Sequence, residues 1–224
     1  MDFSLHPVAF LRTCYPQKFG VPRQSGLVPA AWGEIVFEPG YRRPEAVRGI
    51  EGFSHLWLIT VFHQVAENET SLLVRPPRLG GNERVGVFAT RSPFRPNRLA
   101  LSVVKLEKVD AQEPRLYVSG VDLVDGTPVL DIKPYVPYAD APAQATGGFA
   151  DAAPAALPVR WTTEPVADPA ERALIEQSIA LQPQPAYQTG PGREYGARLG
   201  GHEVRWLLAE GTAQILQCLP APRE

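Results

Sequence analysis

The sequence predicts a mainly β protein, with an antiparallel β-barrel in its N-terminal domain and a small α+β domain at its C-terminal end. Three observations carry this prediction. Short apolar segments separated by Pro/Gly turns fill the first two thirds of the chain, and helical periodicity is nearly absent there. The last part begins with a capped helical pattern and continues with three short strand patterns. Many short strands with little helix between them are typical of a barrel.

Seven candidate strands occupy the N-terminal part. The segment 53–64, FSHLWLITVFHQ, is the strongest, because it is nearly continuously apolar and rich in β-branched and aromatic residues. Segment 98–109 has apolar residues at both odd- and even-numbered positions, which predicts a bulge or a strand buried on both faces. Gly120 predicts a bulge or a barrel corner. The predicted strands are 4–13, 32–37, 53–64, 83–90, 98–109, 115–124 and 127–135.

A change of composition divides the chain. Residues 139–158 are rich in Pro and Ala, which predicts a linker between a domain of residues 1–138 and another of residues 159–224. Asp168 as N-cap and Pro169 at the first helical position predict a helix over 168–181. The segments EYGARL, HEVRWLLA and TAQILQCL predict three strands joined by Gly-containing turns.

Composition limits the class of protein. Hydrophobic residues make up 44% and charged residues 21%, as in an ordinary globular chain. We expect a cytoplasmic protein without membrane contact, because neither a signal peptide nor an apolar run of membrane-spanning length is present.

Cys14 and Cys218 could pair in principle, but two cysteines in such a chain more often remain thiols. Histidines and cysteines fall at no usual ligand spacing, so we expect no metal.

Positive charge is concentrated between residues 75 and 105. Seven basic residues stand there against Glu83, so this segment carries +6 in a chain whose net charge is −2. The stretch ATRSPFRPN contains two prolines, which predicts a pre-organised loop that binds an anionic partner. Solvated loops whose arginines pair with acids elsewhere are the alternative. The basic residues are Arg75, Arg78, Arg84, Arg91, Arg95, Arg98 and Lys105.

Three more polar stretches lie at or near strand ends. VPRQSG places Arg23 in a turn, FHQ places His63 after the apolar strand, and VDLVDGTP places Asp122 and Asp125 beside a turn. Taken singly, each is more often structural than functional. Motifs of a hydrolase triad, a P-loop or a Rossmann fold are missing from the sequence.

Together, these stretches resemble a known family. GVPRQSG, GIEGFSHLWLITVFHQ, VRPPRLGGNERVGVFATRSPFRPN and VDLVDGTPVLDIKPY, in this order, are similar to the TsaA-like (TrmO) family of tRNA methyltransferases. The resemblance implies a β-barrel enzyme that uses S-adenosylmethionine to methylate N6 of threonylcarbamoyladenosine (t6A), the modified base at tRNA position 37 beside the anticodon, giving m6t6A. It also implies a homodimer whose partner is tRNA carrying t6A.

The resemblance implies the site residues as well. A carboxylate can accept both protons of a ribose diol, and an arginine can take a cofactor carboxylate in a bidentate pair. His63 and Asp125 are the candidate general bases. The implied cofactor contacts are Pro22, Arg23, Gln24, His63, Gln64, Arg91, Leu101, Asp122, Leu123, Val124 and Asp125. The implied substrate and tRNA contacts are Arg75, Arg78, Arg91, Arg95, Arg98 and Tyr187.

Two segments depart from the family pattern. The family's RPNPIGLS reads RPNRLALS here, so Arg98 replaces a proline, and we expect it to add a phosphate contact or loosen the loop. The family's DPRPAY reads QPQPAY at 182–187, without the acid and the arginine. Two alternatives stay open: a non-catalytic module that binds tRNA and cofactor, and a barrel methyltransferase with a different substrate. The intact PRQ, FHQ and DLVDG stretches argue against the first.

Overall fold

A computed structural model describes residues 4–76, 83–184 and 192–222 of the chain. The fold divides into two compact units, each assembled from separate stretches of sequence. The first unit contains Met1–Arg12, Glu34–Val118 and Gly126–Ala153, and the second contains Thr13–Gly33, Ser119–Asp125 and Pro154–Glu224. The domain boundaries expected at 138 and 158 from composition stay a prediction.

A closed six-stranded barrel dominates the first unit, as the sequence predicts. Its strands are β1 (Ala9–Thr13), β2 (Trp32–Phe37), β3 (His55–Val61), β6 (Leu99–Asp110), β7 (Arg115–Ser119) and β8 (Thr127–Pro134). Their order around the barrel is β1-β2-β7-β6-β3-β8. The strand β3 pairs antiparallel with both β6 and β8, and β1 pairs antiparallel with β8. Two short strands outside the barrel, β4 (Leu73–Val74) and β5 (Val85–Gly86), form an antiparallel pair.

Side chains alternate between the inside and the outside of the barrel. In β3, Leu58 and Thr60 point inward and are buried, and in β6 the opposite residues Ser102 and Ala100 are buried too. Filling of the interior by side chains is usual for a barrel of this size. The outward positions of both strands are also largely apolar. Segment 98–109 therefore has apolar residues at inward and outward positions alike.

The bulge expected in 98–109 is therefore wrong for the pairing of this strand with β3. That pairing runs without a break from His55–Lys105 to Val61–Leu99. An irregularity lies instead between Ile59 and Thr60, where β3 pairs with β8.

Three predicted strands are shorter than expected. Segment 4–13 contributes only β1. Segment 83–90 yields β5 and then a 3-10 turn over Val87–Ala89, because the Thr90 hydroxyl donates to the carbonyl of Val87 and competes with extended pairing. Segment 115–124 ends at β7, because Gly120 adopts a φ of 74° and approaches Gly26 so closely that a Cβ would stand 3.3 Å from its backbone. Gly120 thus ends the strand.

Two short helices complete the first unit. They are α1 (Pro44–Val47) and α2 (Pro137–Asp140), and each begins with proline. The Asp140 carboxylate accepts hydrogen bonds from the indole nitrogen of Trp57 (2.9 Å) and the backbone nitrogen of Val136 (2.8 Å). These bonds attach the segment after β8 to the outer face of β3.

The second unit is a four-stranded sheet with one helix. Its elements are β9 (Val159–Trp161), α3 (Pro169–Ala180), β10 (Glu194–Leu199), β11 (His202–Ala209) and β12 (Thr212–Pro220). The sheet order is β10-β11-β12-β9, antiparallel except for the parallel pair of β12 and β9. The strand β9 was not predicted, since three residues are too few to show a period.

The helix α3 confirms its sequence signals. The Asp168 carboxylate accepts a hydrogen bond from the backbone nitrogen of Ala170 (2.8 Å), and Pro169 stands at the first position. Leu174, Ile175 and Ile179 are completely buried, so one face of α3 supplies the core of the second unit.

Cys14 and Cys218 are both free thiols in the second unit. Burial raises the pKa of the Cys14 thiol to about 12, so this group stays neutral at physiological pH. Within the described ranges, every helix is too short or too polar to cross a bilayer.

Candidate functional site

The turn that follows β3 carries His63 and Gln64. The strand ends at Val61, whose carbonyl accepts the backbone nitrogen of His63 (2.8 Å), and the carbonyl of Phe62 accepts that of Val65 (3.2 Å). Val65 is buried, whereas His63 and Gln64 are exposed. The turn therefore fixes its backbone and presents an imidazole and an amide at one end of the barrel.

The loop of residues 90–98, here named the arginine loop, precedes β6. Because β6 begins opposite the end of β3, with Leu99 paired to Val61, this loop and the His63 turn lie at the same end of the barrel. Within the loop, the Arg95 guanidinium donates to the carbonyl of Thr90 (3.2 Å), and the Thr90 hydroxyl accepts the backbone nitrogen of Ser92 (3.2 Å). These internal bonds make the loop pre-organised, as its prolines predict.

Arg98 links the arginine loop to the His63 turn. Its carbonyl accepts the backbone nitrogen of Phe62 (2.9 Å), and its guanidinium Nη1 donates to the carbonyl of Val65 (2.8 Å). Its backbone has a φ of 47°, in the left-handed region. A proline cannot adopt this φ, so this chain closes the loop differently from a sequence with proline here. The side chain expected on a phosphate therefore has a partner within the protein.

The other predicted residues of the first unit are spread around this end of the barrel. Leu101 pairs with Ile59 in the barrel wall and points outward, about half exposed. Arg91 and Arg75 are exposed, the first in the arginine loop and the second directly after β4. Arg78 and Tyr187, both predicted to contact tRNA, lie outside the described residues.

A separate cluster of predicted residues belongs to the second unit. The Asp125 Oδ1 accepts the backbone nitrogen of Thr13 (2.8 Å), and the backbone nitrogen of Asp125 donates to the carbonyl of Tyr15 (2.8 Å). The Thr13 hydroxyl donates to the carbonyl of Leu123 (3.0 Å). These bonds hold segment 122–125 against segment 13–15. Asp122 is half-buried and Asp125 exposed, so two carboxylates stand on a fixed backbone.

Segment 22–24 also belongs to the second unit. Pro22 and Arg23 line a cavity of about 20 Å³ together with Ser178 and Leu181. The Arg23 Nη2 makes a long contact of 3.5 Å with the carbonyl of Gln184, which is weak by hydrogen-bond geometry.

Two residues that position the predicted side chains have no signal of their own in the sequence. Thr13 supports the Asp122–Asp125 segment through both its backbone nitrogen and its hydroxyl. Val65 holds Arg98 through a backbone carbonyl. Any residue type can supply a backbone carbonyl, so the sequence does not indicate the role of Val65. Threonine is common at strand ends, so the sequence does not indicate the role of Thr13 either. Among the described residues, no group of His, Cys, Asp and Glu side chains has the arrangement of a metal site.

Family comparisons agree with both units. Residues 10–141 match the family profile described as the tRNA-methyltransferase O N-terminal domain, and residues 154–221 match that of the TrmO C-terminal domain. The tRNA (adenine(37)-N6)-methyltransferase of Escherichia coli (strain K12) is 42% identical over 98% of this chain and 99% of its own length. A Pseudomonas aeruginosa relative, RcsF, is 49% identical over 92% of this chain and 93% of its own length; its name assigns it provisionally to the S-adenosylmethionine-dependent methyltransferases.

A solved structure has the same fold. The crystal structure of TrmO from Pseudomonas aeruginosa matches with a TM-score of 0.81 and 39% identity, over 98% of this chain and 99% of the other. Sequence and fold thus agree over nearly the whole length of the chain. The chain belongs to the tRNA-methyltransferase O family of enzymes.

Proposed function

We propose that this protein transfers a methyl group from S-adenosylmethionine to N6 of t6A at position 37 of tRNA, giving m6t6A. The observation that carries the proposal is the rigid junction at one end of the barrel, where Arg98 joins the arginine loop to the His63 turn. The junction joins the arginine loop and the His63 turn at the same end of the barrel. The names of the relatives support adenine 37 as the target, and the threonylcarbamoyl group follows from the resemblance of the sequence motifs.

The residues of each unit suit the proposed cofactor. S-adenosylmethionine, when bound, supplies a methyl group that its sulfonium has already activated. In the second unit, the carboxylates of Asp122 and Asp125 can accept hydrogen bonds from the ribose diol or attract the sulfonium cation. Arg23 can bind the carboxylate of the cofactor. In the first unit, His63 and Gln64 are exposed and offer polar contacts. The further proposed cofactor contacts are Pro22, Gln24, Arg91, Leu101, Leu123 and Val124.

The arginine loop suits the substrate. The threonyl group of t6A carries a carboxylate, and the guanidinium groups of Arg91 and Arg95 form the bidentate contact that such a group prefers. Holding the base there positions N6 for attack, and positioning supplies much of the rate when the donor is already activated. Arg75, Arg78 and Tyr187 are proposed contacts to the rest of the tRNA.

The proton on N6 must leave during the transfer, and we assign its acceptance to His63. The imidazole is exposed at the end of β3, on a turn with a fixed backbone. Asp125, the other candidate, already accepts the backbone nitrogen of Thr13 with one oxygen (2.8 Å). That oxygen of Asp125 is engaged in holding the backbone. His63 lies at the same end of the barrel as the arginine loop, where we propose that the substrate binds, and we therefore assign the proton to it.

A homodimer in the cytoplasm is part of the proposal. On the outer face of the barrel, Trp57 and Ile59 of β3 pair with Val103 and Leu101 of β6, and all four residues keep part of their surface exposed. We name these four residues the outer apolar face. A second copy of the chain would remove this face from water, which is the usual driving force for association. The cytoplasm is where the tRNA substrate is found.

The experiment that tests the reaction uses two tRNA pools. One is tRNA from cells that lack this protein, and the other is tRNA that also lacks t6A. The purified protein is incubated with each pool and tritiated S-adenosylmethionine, and the nucleosides are then separated and identified by mass spectrometry. We expect the label only in t6A, as one added methyl group. Label in the t6A-free pool would show a different substrate, and cofactor binding without any label would show a non-catalytic module.

A further inference from the structure

An exposed apolar surface lies beside the arginine loop. Leu72, Phe88 and Phe94 expose 70%, 75% and 40% of their surface, and we name these three residues the aromatic surface. All three are in the first unit: Leu72 directly precedes β4, Phe88 follows β5, and Phe94 belongs to the arginine loop. Contiguous exposed apolar side chains mark interaction surfaces, whereas a single one needs no explanation.

The backbone under the aromatic surface is fixed. The backbone nitrogen of Val87, next to Phe88, donates to the carbonyl of Leu72 (2.9 Å). The carbonyl of Phe94 accepts the backbone nitrogen of Ser71 (3.0 Å). The backbone next to Phe88 and that of Phe94 are therefore bonded to the adjacent residues Leu72 and Ser71. This backbone is fixed before a partner arrives, which lowers the entropy cost of binding.

The sequence around these residues is strongly basic. Between residues 71 and 98 the sequence contains six arginines and a single acid, Glu83. Arg91 follows Phe88 by three residues, and the guanidinium of Arg95, next to Phe94, lies on the carbonyl of Thr90. The bond to Thr90 uses one of the five N–H donors of the Arg95 guanidinium. Aromatic rings and guanidinium groups thus alternate along one short segment.

We propose that unpaired bases of the tRNA anticodon loop stack on Phe88 and Phe94, while Arg91 and Arg95 contact the phosphates between them. Single-stranded RNA is bound in this way, with bases stacked on aromatic side chains and the backbone on cations. A target base beside the anticodon has unpaired neighbours, so a surface for those neighbours beside the arginine loop would bring the target to the site. The inference rests on the proposed function.

A second copy of the chain is the competing occupant. A two-fold interface centred on this surface would bring together the basic segments of both copies, each with a single acid, Glu83. An RNA backbone supplies the negative charge that a second copy lacks there. We therefore assign the aromatic surface to RNA.

The test compares Phe88→Ala and Phe94→Ala with two matched controls. Phe53 has the same exposure as Phe94 (40%), and Tyr138 is even more exposed than Phe88 (92%), so Phe53→Ala and Tyr138→Ala remove similar apolar surface elsewhere in the first unit. The probes are a synthetic anticodon stem–loop with 2-aminopurine at an unpaired loop position, and an RNA duplex of equal length. Affinity is measured by anisotropy at several salt concentrations, and stacking by quenching of 2-aminopurine.

We expect Phe88→Ala to weaken stem–loop binding roughly 5- to 150-fold, the range for loss of one stacking ring, and to remove the quenching. Duplex binding, the salt slope and the affinity for S-adenosylmethionine should stay at parental values, because the ring is uncharged. Phe88→Trp keeps an aromatic ring at this position and should bind the stem–loop like the parent. The controls should bind like the parent.

Unchanged stem–loop affinity in both variants would overturn the inference, and so would a change of oligomeric state in Phe88→Ala. The proposed function is tested separately by the parental protein. A parent that methylates t6A and variants that bind RNA normally would refute only the stacking surface. A parent that methylates no tRNA would refute the proposed function itself.

Discussion

Replacement of Arg98 by alanine separates two roles for this residue. From the sequence, Arg98 is expected to add a tRNA phosphate contact or to loosen the loop, whereas its guanidinium donates to the carbonyl of Val65 in the turn that carries His63 (2.8 Å). If the second role dominates, Arg98 is a positioning residue for the His63 turn. The variant Arg98→Ala would then loosen the turn and leave the charge-dependent part of tRNA binding nearly unchanged.

The magnitude follows from the single bond that is lost. A hydrogen bond from a charged donor contributes about 1.5–3 kcal/mol. If the whole of this energy holds the turn in its binding-competent form, the affinity for S-adenosylmethionine falls by at most about 10- to 150-fold. Arg98→Gly loses the same bond but relieves the backbone at a φ of 47°. It should therefore be more stable than Arg98→Ala by about 0.5–1 kcal/mol.

The assay combines calorimetry and a salt titration. Calorimetry gives the affinity for S-adenosylmethionine, chemical denaturation gives the free energy of unfolding, and tRNA affinity is measured across salt concentrations. Arg84→Ala is the control, because it removes an exposed arginine from the same basic segment but leaves the Val65 contact in place. We expect weaker cofactor binding in Arg98→Ala and Arg98→Gly, and parental binding in Arg84→Ala.

A phosphate contact gives the opposite pattern. Removal of such a contact lowers the salt slope of tRNA binding by about one unit and leaves cofactor affinity unchanged. That result for Arg98→Ala, with a parental free energy of unfolding, would refute the positioning role.

Three further predictions concern other parts of the molecule. Asp125→Ala should destabilise the protein by about 1–3 kcal/mol in chemical denaturation, because the backbone nitrogen of Thr13 loses its acceptor, whereas Asp125→Asn retains an acceptor oxygen and should be milder. Burial raises the pKa of the Cys14 thiol to about 12 in the folded state, whereas the unfolded thiol loses its proton near the ordinary pKa of 9.0. Stability should therefore fall as pH rises through this window, and the fall should be shallower in Cys14→Ala, as measured by denaturation at several pH values. Ile59→Glu places a charge on the outer apolar face and should shift the protein towards monomer in light scattering; an unchanged mass would exclude this face as the dimer contact.

The barrel could be predicted from sequence because its signals are local. The apolar run that forms β3 needs no partner to be recognised, and the cap of α3 consists of adjacent residues, Asp168 and Pro169. By contrast, the sequence of segment 98–109 does not reveal that the strand pairs with β3 without a bulge, because an apolar outer face and an apolar core consist of the same residue types. Which face of a strand meets water depends on its neighbours, and a single strand does not reveal them.

The candidate site was predictable in its residue types but less so in its contacts. The clustering of arginines after β5 indicates an anionic partner whatever the fold. The partner of Arg98 is a backbone carbonyl 33 residues earlier in the chain, and such a contact exists only once β3 and β6 have paired. The anchoring of Asp125 by Thr13 joins positions that are 112 residues apart. Contacts of this range are products of the fold and leave no pattern in sequence.

The division of the second unit among three stretches of chain has a consequence for synthesis on the ribosome. Tyr15, Val28 and Ala31 are essentially inaccessible to solvent in the finished protein, and they lie in the first of those stretches, Thr13–Gly33. The last stretch ends at Glu224, so at typical elongation rates roughly 10–40 s pass before it has been translated. During that interval these side chains have no completed core to enter. A product truncated before the last stretch therefore lacks part of the unit in which these side chains are buried.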